Sequence, residues 1–571
     1  MTVENVVETD VLIIGGGIAG CFAAVKAREQ GVNVTIVDKA YVGKAGGTVA
    51  ASGSYMVFNP EWGHDLDACM GVISERGEYI NHREWTEIIL KDSWATYQDL
   101  VSWGVEFPIE IGRSSDYSAL SRVDSSGRRT FGVIPIQRGK QSPVLRRQAI
   151  NSGAKVMDRI MATDFLRRDG RVVGALGFSI ETGAPYIFKA KATIVSTGVS
   201  SFRPAGYALS CLTGDGDAMA YRAGAEVTGK EFQAKFITLA AYPAWRSHTG
   251  GFAGYRHFTD AENKEIDLSG FWDLTMDFVI HAGRGPILWD FDRATPEDVE
   301  AIRKKLMQSE GNPSMYDRIN VDPSRGGKFQ MAGGAGAGSS DSQTGGVWPV
   351  NTKCATSVAG LYTAGECCGT RYVGGAHTGG GFGLTGSAVT GTRAGRGAAE
   401  YALREGKPII DEEELKTMKK MLYAPMERKG GFSPQWVTQI LQNTMIPYFI
   451  IHIKHQDRLQ AALTIVEFLR DQLVPKLLAK DGHELRLVHE TKNMVLNAEM
   501  ILRASLFRTE SRSQHYREDY PRRDDPTWLA WVKLKQEQDK MKPLKEPIPE
   551  RWWPDLSKPY EDRYPKRFPG E

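Results

Sequence analysis

Three glycines near the start of the chain have the spacing of a phosphate-binding turn. They are Gly15, Gly17 and Gly20, within the run VLIIGGGIAGCFAAVKAREQGVNVTIVDK at residues 11–39. In a strand–turn–helix unit the first glycine allows a tight turn, the second lets backbone N–H groups approach a pyrophosphate, and the third lets helix and strand pack closely. The pyrophosphate then lies at the helix N-terminus, where unpaired N–H groups favour negative charge. The spacing therefore predicts a dinucleotide site.

The residues around these glycines predict the elements that position them. Residues 11–14 are an apolar run typical of a buried parallel strand, and residues 19–30 have helical spacing. Residues 34–37 form a second apolar run that ends on Asp38, which is placed to accept hydrogen bonds from a ribose. The glycine pattern alone also occurs in ordinary turns, but together with two strands, a helix and a terminal acid it favours the dinucleotide interpretation.

Length and composition limit the class of protein. At 571 residues, two to four domains are expected. A hydrophobic content of 41% with 25% charged residues is ordinary for a globular protein, and a formal net charge of +2 gives no case for a nucleic-acid partner. No apolar run approaches the roughly 18 residues of a membrane helix, and the acidic start of the chain lacks the basic and apolar regions of a signal peptide. We therefore expect a cytoplasmic protein with no membrane span.

The cysteines argue against a metal centre in this chain. None forms a C-x-x-C pair, so we expect neither an iron–sulfur cluster nor a structural zinc site, and buried free thiols are the expected state. If electrons enter or leave one at a time, the cluster that carries them belongs to another polypeptide. The cysteines are Cys21, Cys69, Cys211, Cys354, Cys367 and Cys368.

The middle of the chain predicts further strands of the same domain and a helix. Residues 156–169 and 172–179 predict a strand meander with a hairpin turn at Asp169 and Gly170, and residues 192–196 predict a buried strand that ends in Thr197 and Gly198. Residues 213–216 (TGDG) open a helix.

The later regions predict a cap, a helical region and a tail. Residues 231–347 are irregular and predict an inserted cap, whereas residues 412–507 have helical periodicity throughout. Residues 521–571 are rich in Pro, Trp, Lys and Arg and predict an extended tail that wraps this protein or a partner.

The order of these motifs resembles the flavoprotein subunit family of succinate dehydrogenase and fumarate reductase. That superfamily also holds aspartate oxidase, adenylylsulfate reductase alpha subunits and the ketosteroid dehydrogenases. The similarity extends from about residue 8 to about residue 530. The motifs are, in order, GGGIAG, the small-residue loop 41–54, Thr197-Gly198, TGDGDAMAYRAG at 213–224, GLYTAGE at 360–366, the glycine-dense segment 373–386 and RTESRSQHYREDYPRRDD at 508–525.

The resemblance implies an α/β fold with three domains. A Rossmann-like FAD-binding domain would carry an inserted α+β capping domain, followed by a C-terminal helical domain. The expected boundaries are 1–232 and 348–405 for the FAD-binding domain, 233–347 for the cap, 406–530 for the helical domain and 531–571 for the tail. In the last segment of the resemblance, Arg508, Glu510, Arg512, His515 and Arg517 would form a salt-bridge network that holds the helical domain to the FAD-binding domain.

The resemblance also implies FAD and a set of residues around it. Asp38 would bind the adenosine ribose and Glu366 the ribityl chain, while Asp215 would lie beside the FAD; the alternative for Glu366 and Asp215 is a helix-cap or solvated carboxylate. A helix start at Gly383–Thr385 would face the pyrimidine edge, where reduced flavin carries negative charge. The full expected set is Gly15, Gly17, Ala19, Gly20, Asp38, Lys39, Gly46, Gly47, Thr48, Ser52, Gly53, Thr197, Gly198, Asp215, Glu366, Gly383, Leu384 and Thr385.

This sequence departs from the family at the flavin attachment and at the dicarboxylate site. Gly47 stands where membrane-bound members carry the histidine that bonds the flavin, so we expect non-covalent FAD. Phe236 and Gly374 stand where the family has histidines, and Thr378 stands where it has the carboxylate-binding arginine. Because a dianion needs paired charge-assisted donors, we do not expect fumarate or succinate as the substrate, and a bulkier or differently charged compound is expected instead.

Four residues are candidates for proton transfer. The family delivers the proton from an arginine of the cap, and the comparable segment here contains both Arg246 and His248; Arg256 follows closely, and His377 lies in the flavin-edge motif. Aromatic residues of the cap either line an apolar pocket or fill the cap's own core. They are Trp245, Phe252, Tyr255, Trp272 and Trp289.

The expected function is that of an FAD-dependent oxidoreductase that exchanges hydride or electrons with a small organic substrate other than fumarate. The missing cluster cysteines, a single dinucleotide fingerprint and the basic aromatic tail favour an iron–sulfur or ferredoxin-like partner subunit. One alternative is a protein like the alpha subunit of adenylylsulfate reductase, which would act at sulfur, with Arg246, Arg256 and Lys235 as a cationic pocket. Another is a non-catalytic electron-transfer or scaffold subunit that has kept FAD.

Overall fold

The computed structural model of the chain shows three consecutive parts along the residues that it describes. It describes residues 5–50, 53–107, 121–136, 139–204, 211–235, 238–241, 255, 257–268, 272–301, 322, 325–332, 339–341, 345–376 and 380–571. Among the helices in these ranges, each is too short or too polar to span a lipid bilayer.

The first part of the chain supplies most of the large sheet. Its strands are β1 Asn5–Ile14, β2 Val34–Asp38, β3 Ser54–Val57, β4 Ser121–Val123, β5 Arg129–Pro135, β6 Lys155–Asp158, β7 Ile160–Arg168, β8 Arg171–Ser179 and β9 Pro185–Val195. Its helices are α1 Ile18–Arg28, α2 Gly47–Ala50, α3 Leu66–Arg76, α4 Arg83–Ser102, α5 Gln141–Asn151 and α6 Asp215–Arg222, with a 3-10 turn at Pro60–Trp62.

The second part contains the cap and the return to the large sheet. Its strands are β10 Val227–Thr228, β11 Gln233–Lys235, β12 Thr238–Leu239, β13 Phe258–Thr259, β14 Leu288–Asp290, β15 Lys328–Ala332, β16 Ser339–Asp341, β17 Gly346–Val347 and β18 Leu361–Thr363. Its helices are α7 Trp272–His281 and α8 Phe382–Ala402, with a 3-10 turn at Gly365–Cys367.

The last part is helical and ends in a hairpin. Its helices are α9 Glu412–Glu427, α10 Pro434–Met445, α11 Tyr448–Ile451, α12 Gln456–Phe468, α13 Gly482–Phe507 and α14 Tyr560–Arg563, with a π turn at Leu469–Leu473 and 3-10 turns at Val474–Lys476 and Glu550–Trp552. Its strands are β19 Ile453–Lys454, β20 Tyr516–Arg517, β21 Ala530–Glu537 and β22 Lys540–Pro547.

The large sheet has the order β6-β2-β1-β9-β8-β7, with β18 paired to the end of β9. The strands β6, β2, β1, β9 and β18 are parallel, whereas β7, β8 and β9 are antiparallel. The predicted hairpin turn at Asp169 and Gly170 is confirmed between β7 and β8. The predicted single strand 156–169 is wrong, because its first residues belong to β6, which pairs with β2, and the rest form β7. The end of β1 is buried, as the apolar run of residues 11–14 requires for a strand covered on both faces. The predicted α/β class is confirmed.

The cap is joined to the large domain by two short paired strands. Strand β11 leaves the domain and β16 returns to it, and the two pair antiparallel at Gln233 with Asp341. Beyond this pair, β12, β15, β14 and β13 form a separate sheet with its own hydrophobic core. Trp289 is fully buried there, and Tyr255 donates its hydroxyl to Asp290 O over 2.6 Å. These two aromatic residues therefore fill the core of the cap; the side chains of Trp245, Phe252 and Trp272 lie outside the described residues.

The tail differs from the extended chain that its composition predicts. Strands β21 and β22 form a hairpin that completes a sheet of order β17-β10-β21-β22. The turn residues Gln538 and Asp539 have φ of 48° and 60°, the backbone of a type I′ turn, which the sequence usually signals with Asn-Gly or Asp-Gly. That signal is missing here, and prolines and lysines occupy the exposed edge strand. The sequence therefore lacks the clear alternation of apolar and polar residues that would have predicted the hairpin.

Candidate functional site

The glycine turn after β1 has the geometry that its spacing predicts. Gly15 has φ of +109°, and a Cβ there would lie 2.3 Å from Ser196 O at the end of β9. A Cβ on Gly20 would lie 2.0 Å from Gly15 O, so α1 touches the turn at a glycine. Only glycine allows both the backbone conformation and this close packing.

The N-terminus of α1 is open to an anion. Its first residue follows Gly17, which supplies no side-chain cap, and the first turn carries no acidic residue. Ile18 N–H donates to Thr48 Oγ1 over 2.9 Å, which places the start of α2 beside this turn. A hydroxyl and unpaired N–H groups at a helix N-terminus suit a phosphate. Gly46 and Gly47 lead into Thr48, and Gly53 accepts from Ile136 N over 3.2 Å; Ser52 lies outside the described residues.

The carboxylate of Asp38 hydrogen-bonds to the backbone of this turn. One carboxylate oxygen accepts from Gly16 N over 2.7 Å and the other from Ala40 N over 2.6 Å. Burial raises the pKa of Asp38, although these two backbone groups oppose the shift. Its carboxylate therefore braces the phosphate turn, and its contact with a ribose stays a prediction.

Lys39 and Asp215 lie in a buried ionic network. Lys39 Nζ donates to Asp215 Oδ2 and to Glu490 Oε1, both over 2.8 Å, and Asn493 donates to Asp215 Oδ1 over 2.9 Å. Burial by itself would raise the pKa of Asp215, but the ammonium of Lys39 holds that pKa below its usual value. The network ties the end of β2 to helix α13, a role that the sequence did not indicate because Glu490 is 451 positions from Lys39. Their contact with FAD stays a prediction.

Glu366 differs from these acids because no cation or hydrogen-bond donor among the described residues opposes the effect of burial on its carboxyl group. It lies in the 3-10 turn after β18, and burial alone raises its pKa to about 7. A Cβ on the preceding Gly365 would lie 2.8 Å from Ala19 Cβ and 3.4 Å from Ser387 Oγ. Glu366 therefore stands between the start of α1 and the second turn of α8, where a ligand with hydroxyl donors would satisfy its carboxylate.

Helix α8 runs beside α1 and reaches beyond it. A Cβ on Gly391 would lie 2.3 Å from Ala19 O, and one on Gly395 would lie 2.4 Å from Ala23 O, so the two helices touch and run in the same direction. Helix α8 begins at Phe382, nine residues before Gly391. At 1.5 Å per residue its start extends up to about 12 Å past the start of α1, which lies one residue before Ala19. Gly383, Leu384 and Thr385 form its first turn.

Thr197 and Gly198, which follow β9, are the remaining described residues of the predicted FAD site. Thr197 Oγ1 accepts from Gly216 N over 3.0 Å, so it fixes the start of α6 against the end of β9. Gly198 has φ of +78° and packs against Leu212. All four candidates for proton transfer, Arg246, His248, Arg256 and His377, lie outside the described residues, as do Phe236 and Thr378, so their roles stay predictions.

The arginine-rich segment after α13 forms the predicted network. Arg508 Nε donates to Glu231 Oε1 over 3.0 Å, and Arg512 Nη1 donates to Glu78 O over 3.0 Å. Glu510 lies between the two guanidinium groups and accepts from both. Glu78 lies in the first part of the chain and Glu231 lies between β10 and β11, both outside the helical part, so the prediction that this segment holds the helical domain in place is confirmed.

Two features near the site were not predicted from the sequence. Lys230 and Asp217 form a fully buried ion pair with an Nζ–Oδ2 distance of 2.5 Å, behind α6. Tyr372 donates its hydroxyl to Phe382 O, at the start of α8, over 2.7 Å. In the sequence, the contact between Tyr372 and Phe382 was indicated only by a tyrosine within an otherwise glycine-dense segment.

Comparison with known proteins identifies the domains to which these residues belong. The profile of the FAD binding domain matches residues 10–257, and that of the fumarate reductase flavoprotein C-terminal domain matches residues 438–551. The chain carries the FAD-binding domain and the C-terminal domain of the fumarate reductase and succinate dehydrogenase flavoproteins. It is therefore an FAD-dependent oxidoreductase. The α1 turn, Glu366 and the start of α8 are chemically suited to the diphosphate, ribityl and flavin parts of FAD.

Relatives of this flavoprotein cover nearly its whole length. An uncharacterized FAD-dependent oxidoreductase of Methanocaldococcus jannaschii is 29% identical over 90% of this chain and 94% of the relative. One subunit of the fumarate reductase (CoM/CoB) of Methanothermobacter marburgensis is 28% identical over 92% of this chain and 97% of that protein. The structure of adenylylsulfate reductase from Archaeoglobus fulgidus superposes with a TM-score of 0.78 at 22% identity, covering 96% of this chain and 97% of that one, which shows a shared fold.

Proposed function

We propose that this flavoprotein is the catalytic subunit of an oxidoreductase that holds FAD without a covalent bond and acts on an organic substrate other than fumarate or succinate. Electrons reach or leave it through a separate iron–sulfur or ferredoxin-like subunit. The observation that carries the proposal is the loss of cationic side chains at the dicarboxylate positions, which are Phe236, Gly374 and Thr378 here.

The backbone at Gly374 supports this interpretation of the substrate site. Gly374 has φ of +69°, and a Cβ there would lie 2.7 Å from Gly77 O and 2.8 Å from Gly77 Cα. A side chain of any kind would collide with that backbone, so the position is adapted to glycine. A histidine cannot be accommodated there without moving the loop.

The buried cations nearest to this loop are engaged by the protein itself. Arg371 donates to Gly374 O over 2.6 Å, and its guanidinium lies 4.9 Å from the ring centroid of Phe232. Arg508, which also contacts this ring, pairs with Glu231 and Glu510. Because these guanidinium groups hold the loop and the ring in place, they do not replace a missing anion clamp.

The chain's own residues hold the cofactor and shape the cleft. Bound FAD supplies the two-electron chemistry, by hydride exchange with a carbon of the substrate. Gly47, in place of a histidine, leaves no nucleophile for a covalent link. The α1 turn binds phosphate oxygens, Glu366 accepts from hydroxyl groups, and the α8 start presents N–H groups to a developing negative charge. One of Arg246, His248, Arg256 and His377 handles the companion proton.

The proposal of a partner protein rests on what this chain carries. Among the described residues Cys211 is exposed and Cys21, Cys69, Cys354, Cys367 and Cys368 are buried free thiols. In the same residues, one G-x-G-x-x-G pattern, at Gly15, lies between a strand and a helix as a dinucleotide fingerprint requires. A chain of this kind binds one flavin and needs another protein for single-electron transfer. The Methanothermobacter relative is named as one subunit of its enzyme, which is in keeping with such an assembly.

The first test compares electron acceptors. The purified protein is denatured with acid, and the flavin is expected to leave the polypeptide completely. The native protein is then reduced without oxygen and mixed with fumarate, with a monocarboxylate enoate and with an uncharged enone. Fumarate is the first compound to test because it appears in the name of the relative. We expect one of the other two compounds, and not fumarate, to reoxidise the flavin. Rapid reoxidation by fumarate, or flavin that stays attached, would contradict the proposal.

A gain-of-function variant sharpens this test. Phe236→His combined with Thr378→Arg restores two cationic groups at the dicarboxylate positions, and we expect it to raise the rate with fumarate above that of the unaltered protein. Bleaching of the flavin by sulfite with no activity on any enoate or enone would favour the alternative of chemistry at sulfur. Direct reduction by NADH or NADPH, in protein purified without an iron-containing companion, would rule out the partner subunit.

A further inference from the structure

A single hydroxyl group bonds the start of α8 to β3. Thr385 Oγ1 accepts from Met56 N over 3.0 Å and donates to Met56 O over 2.8 Å. Thr385 is fully buried, and a Cβ on Gly381 would lie 2.4 Å from Met56 N, so the two backbones touch at this point. The hydroxyl replaces, for Met56, both partners that a neighbouring strand would supply.

A second side chain holds the same helical turn from the other side. Tyr372 OH donates to Phe382 O over 2.7 Å, and a Cβ on Gly386 would lie 2.5 Å from that hydroxyl oxygen. Tyr372 O in turn accepts from Thr86 Oγ1 on α4 over 2.6 Å. Thr385 and Tyr372 therefore fix both the direction and the depth of the first turn of α8.

The position of that turn matters because of its distance from the phosphate site. Helix α8 starts up to about 12 Å beyond the start of α1. FAD held with its diphosphate at the α1 turn and its ribityl chain at Glu366 would bring its ring system within reach of the α8 start. A helix N-terminus stabilises negative charge within about one turn, and the reduced flavin is the more negative form. A small displacement of this turn therefore changes the balance between oxidised and reduced cofactor.

We propose that Thr385 and Tyr372 are positioning residues that set the reduction potential of the bound FAD by holding the start of α8 against β3. The inference rests on FAD binding, which the matched FAD-binding domain establishes, and does not depend on the identity of the substrate or of the partner. The two side chains act on the flavin indirectly, because they fix the position of the backbone of residues 382–385.

Removing either hydroxyl has a predictable direction. Thr385→Val keeps the shape of the side chain but leaves Met56 N–H and C=O without their partner. Tyr372→Phe frees Phe382 O in the same way. In both variants the α8 start relaxes away from its present position, so the reduced flavin loses stabilisation and the potential becomes more negative. Sulfite forms a flavin adduct that also carries negative charge, so its dissociation constant rises, by roughly two- to fivefold for the helix-terminus energies usual in proteins.

The experiment uses the full-length protein with FAD bound. Thr385→Val, Thr385→Ser, Tyr372→Phe and a control, Thr163→Val, are compared. Thr163 is also buried, in β7 at the edge of the large sheet, and its hydroxyl donates to Leu176 O over 3.3 Å. For each variant we measure FAD content, the midpoint potential by equilibration with a reference dye, and the dissociation constant for sulfite.

The expected pattern separates tuning from simple loss of structure. Thr385→Val and Tyr372→Phe retain FAD and shift the potential in the negative direction, whereas Thr385→Ser and Thr163→Val match the unaltered protein. Potentials of Thr385→Val and Tyr372→Phe that equal that of the unaltered protein would overturn the inference. Loss of FAD from both variants, with Thr163→Val still loaded, would also overturn it, because the two hydroxyls would then be needed for holding the cofactor. Either result leaves the acceptor test of the proposed function unaffected.

Discussion

We expect the buried carboxylate of Glu366 to make FAD affinity dependent on pH. Burial raises its pKa from 4.5 to about 7 in the protein without a ligand, and neither an opposite charge nor a hydrogen bond from the described residues opposes the shift. A difference of about 2.5 pKa units corresponds to roughly 3 kcal/mol at 1.36 kcal/mol per unit. That energy is the amount by which burial destabilises the ionised form of Glu366 relative to its protonated form, compared with a solvated glutamate.

The sign of the effect follows from proton counting. Between pH 4.5 and 7 the folded apoprotein binds more protons at Glu366 than the unfolded chain does, so the free energy of unfolding falls as pH rises through this window. Hydroxyl donors of the bound ribityl chain favour the ionised form. FAD binding therefore releases a proton below pH 7, and the dissociation constant falls as pH rises, by up to about tenfold per pH unit.

The assay is titration of apoprotein with FAD, followed by quenching of flavin fluorescence, from pH 5.5 to 8. We expect the unaltered protein to bind more tightly as pH rises to about 7 and then to level off. Glu366→Gln, which cannot ionise, should lose this slope, and the exposed Glu412→Gln on α9 should keep it. The reasoning is refuted if the unaltered protein binds FAD equally well at pH 5.5 and pH 7.5, or if Glu366→Gln retains the full dependence.

Three further changes test other parts of the structure. Gly395→Val places a side chain against Ala23 O and should lower the free energy of unfolding by about 3 kcal/mol or more, with loss of FAD, as measured by chemical denaturation; unchanged stability would contradict the close helix contact. Lys230→Met removes the cation beside the buried carboxylate of Asp217 and should cost about 3–5 kcal/mol, whereas adding Asp217→Asn should recover much of the loss; equal stability of the single and double variants would argue against the pair. Burial lowers the pKa of Lys454 to about 7, so the unfolded chain holds the extra proton between pH 7 and 10.5 and stability should rise with pH there; Lys454→Met should flatten this rise, and denaturation at pH 7.5 and 9.5 checks it.

The sequence alone determined the cofactor half of the site. The three glycines, the apolar run of residues 11–14 and Asp38 lie close together in the first 38 residues, and their roles follow from two strands, one turn and one helix. The hairpin turn at Asp169 and Gly170 was predictable for the same reason. Features of this kind are local, because the spacing of residues along the chain translates directly into their spacing in a helix or strand.

The tertiary structure decided which side chains meet across the chain. Lys39, predicted beside FAD, pairs with Glu490, and the lysine-rich tail pairs with β10 as a hairpin. Thr385 gained its partner, Met56, from 329 positions away. Such contacts depend on how whole elements pack, and the free energy of a buried polar group depends on which partner it reaches; neither is encoded in local spacing. The local sequence therefore predicts where a diphosphate would bind, and the packing of α8 on β3 decides the position of the helix start that we propose faces the flavin.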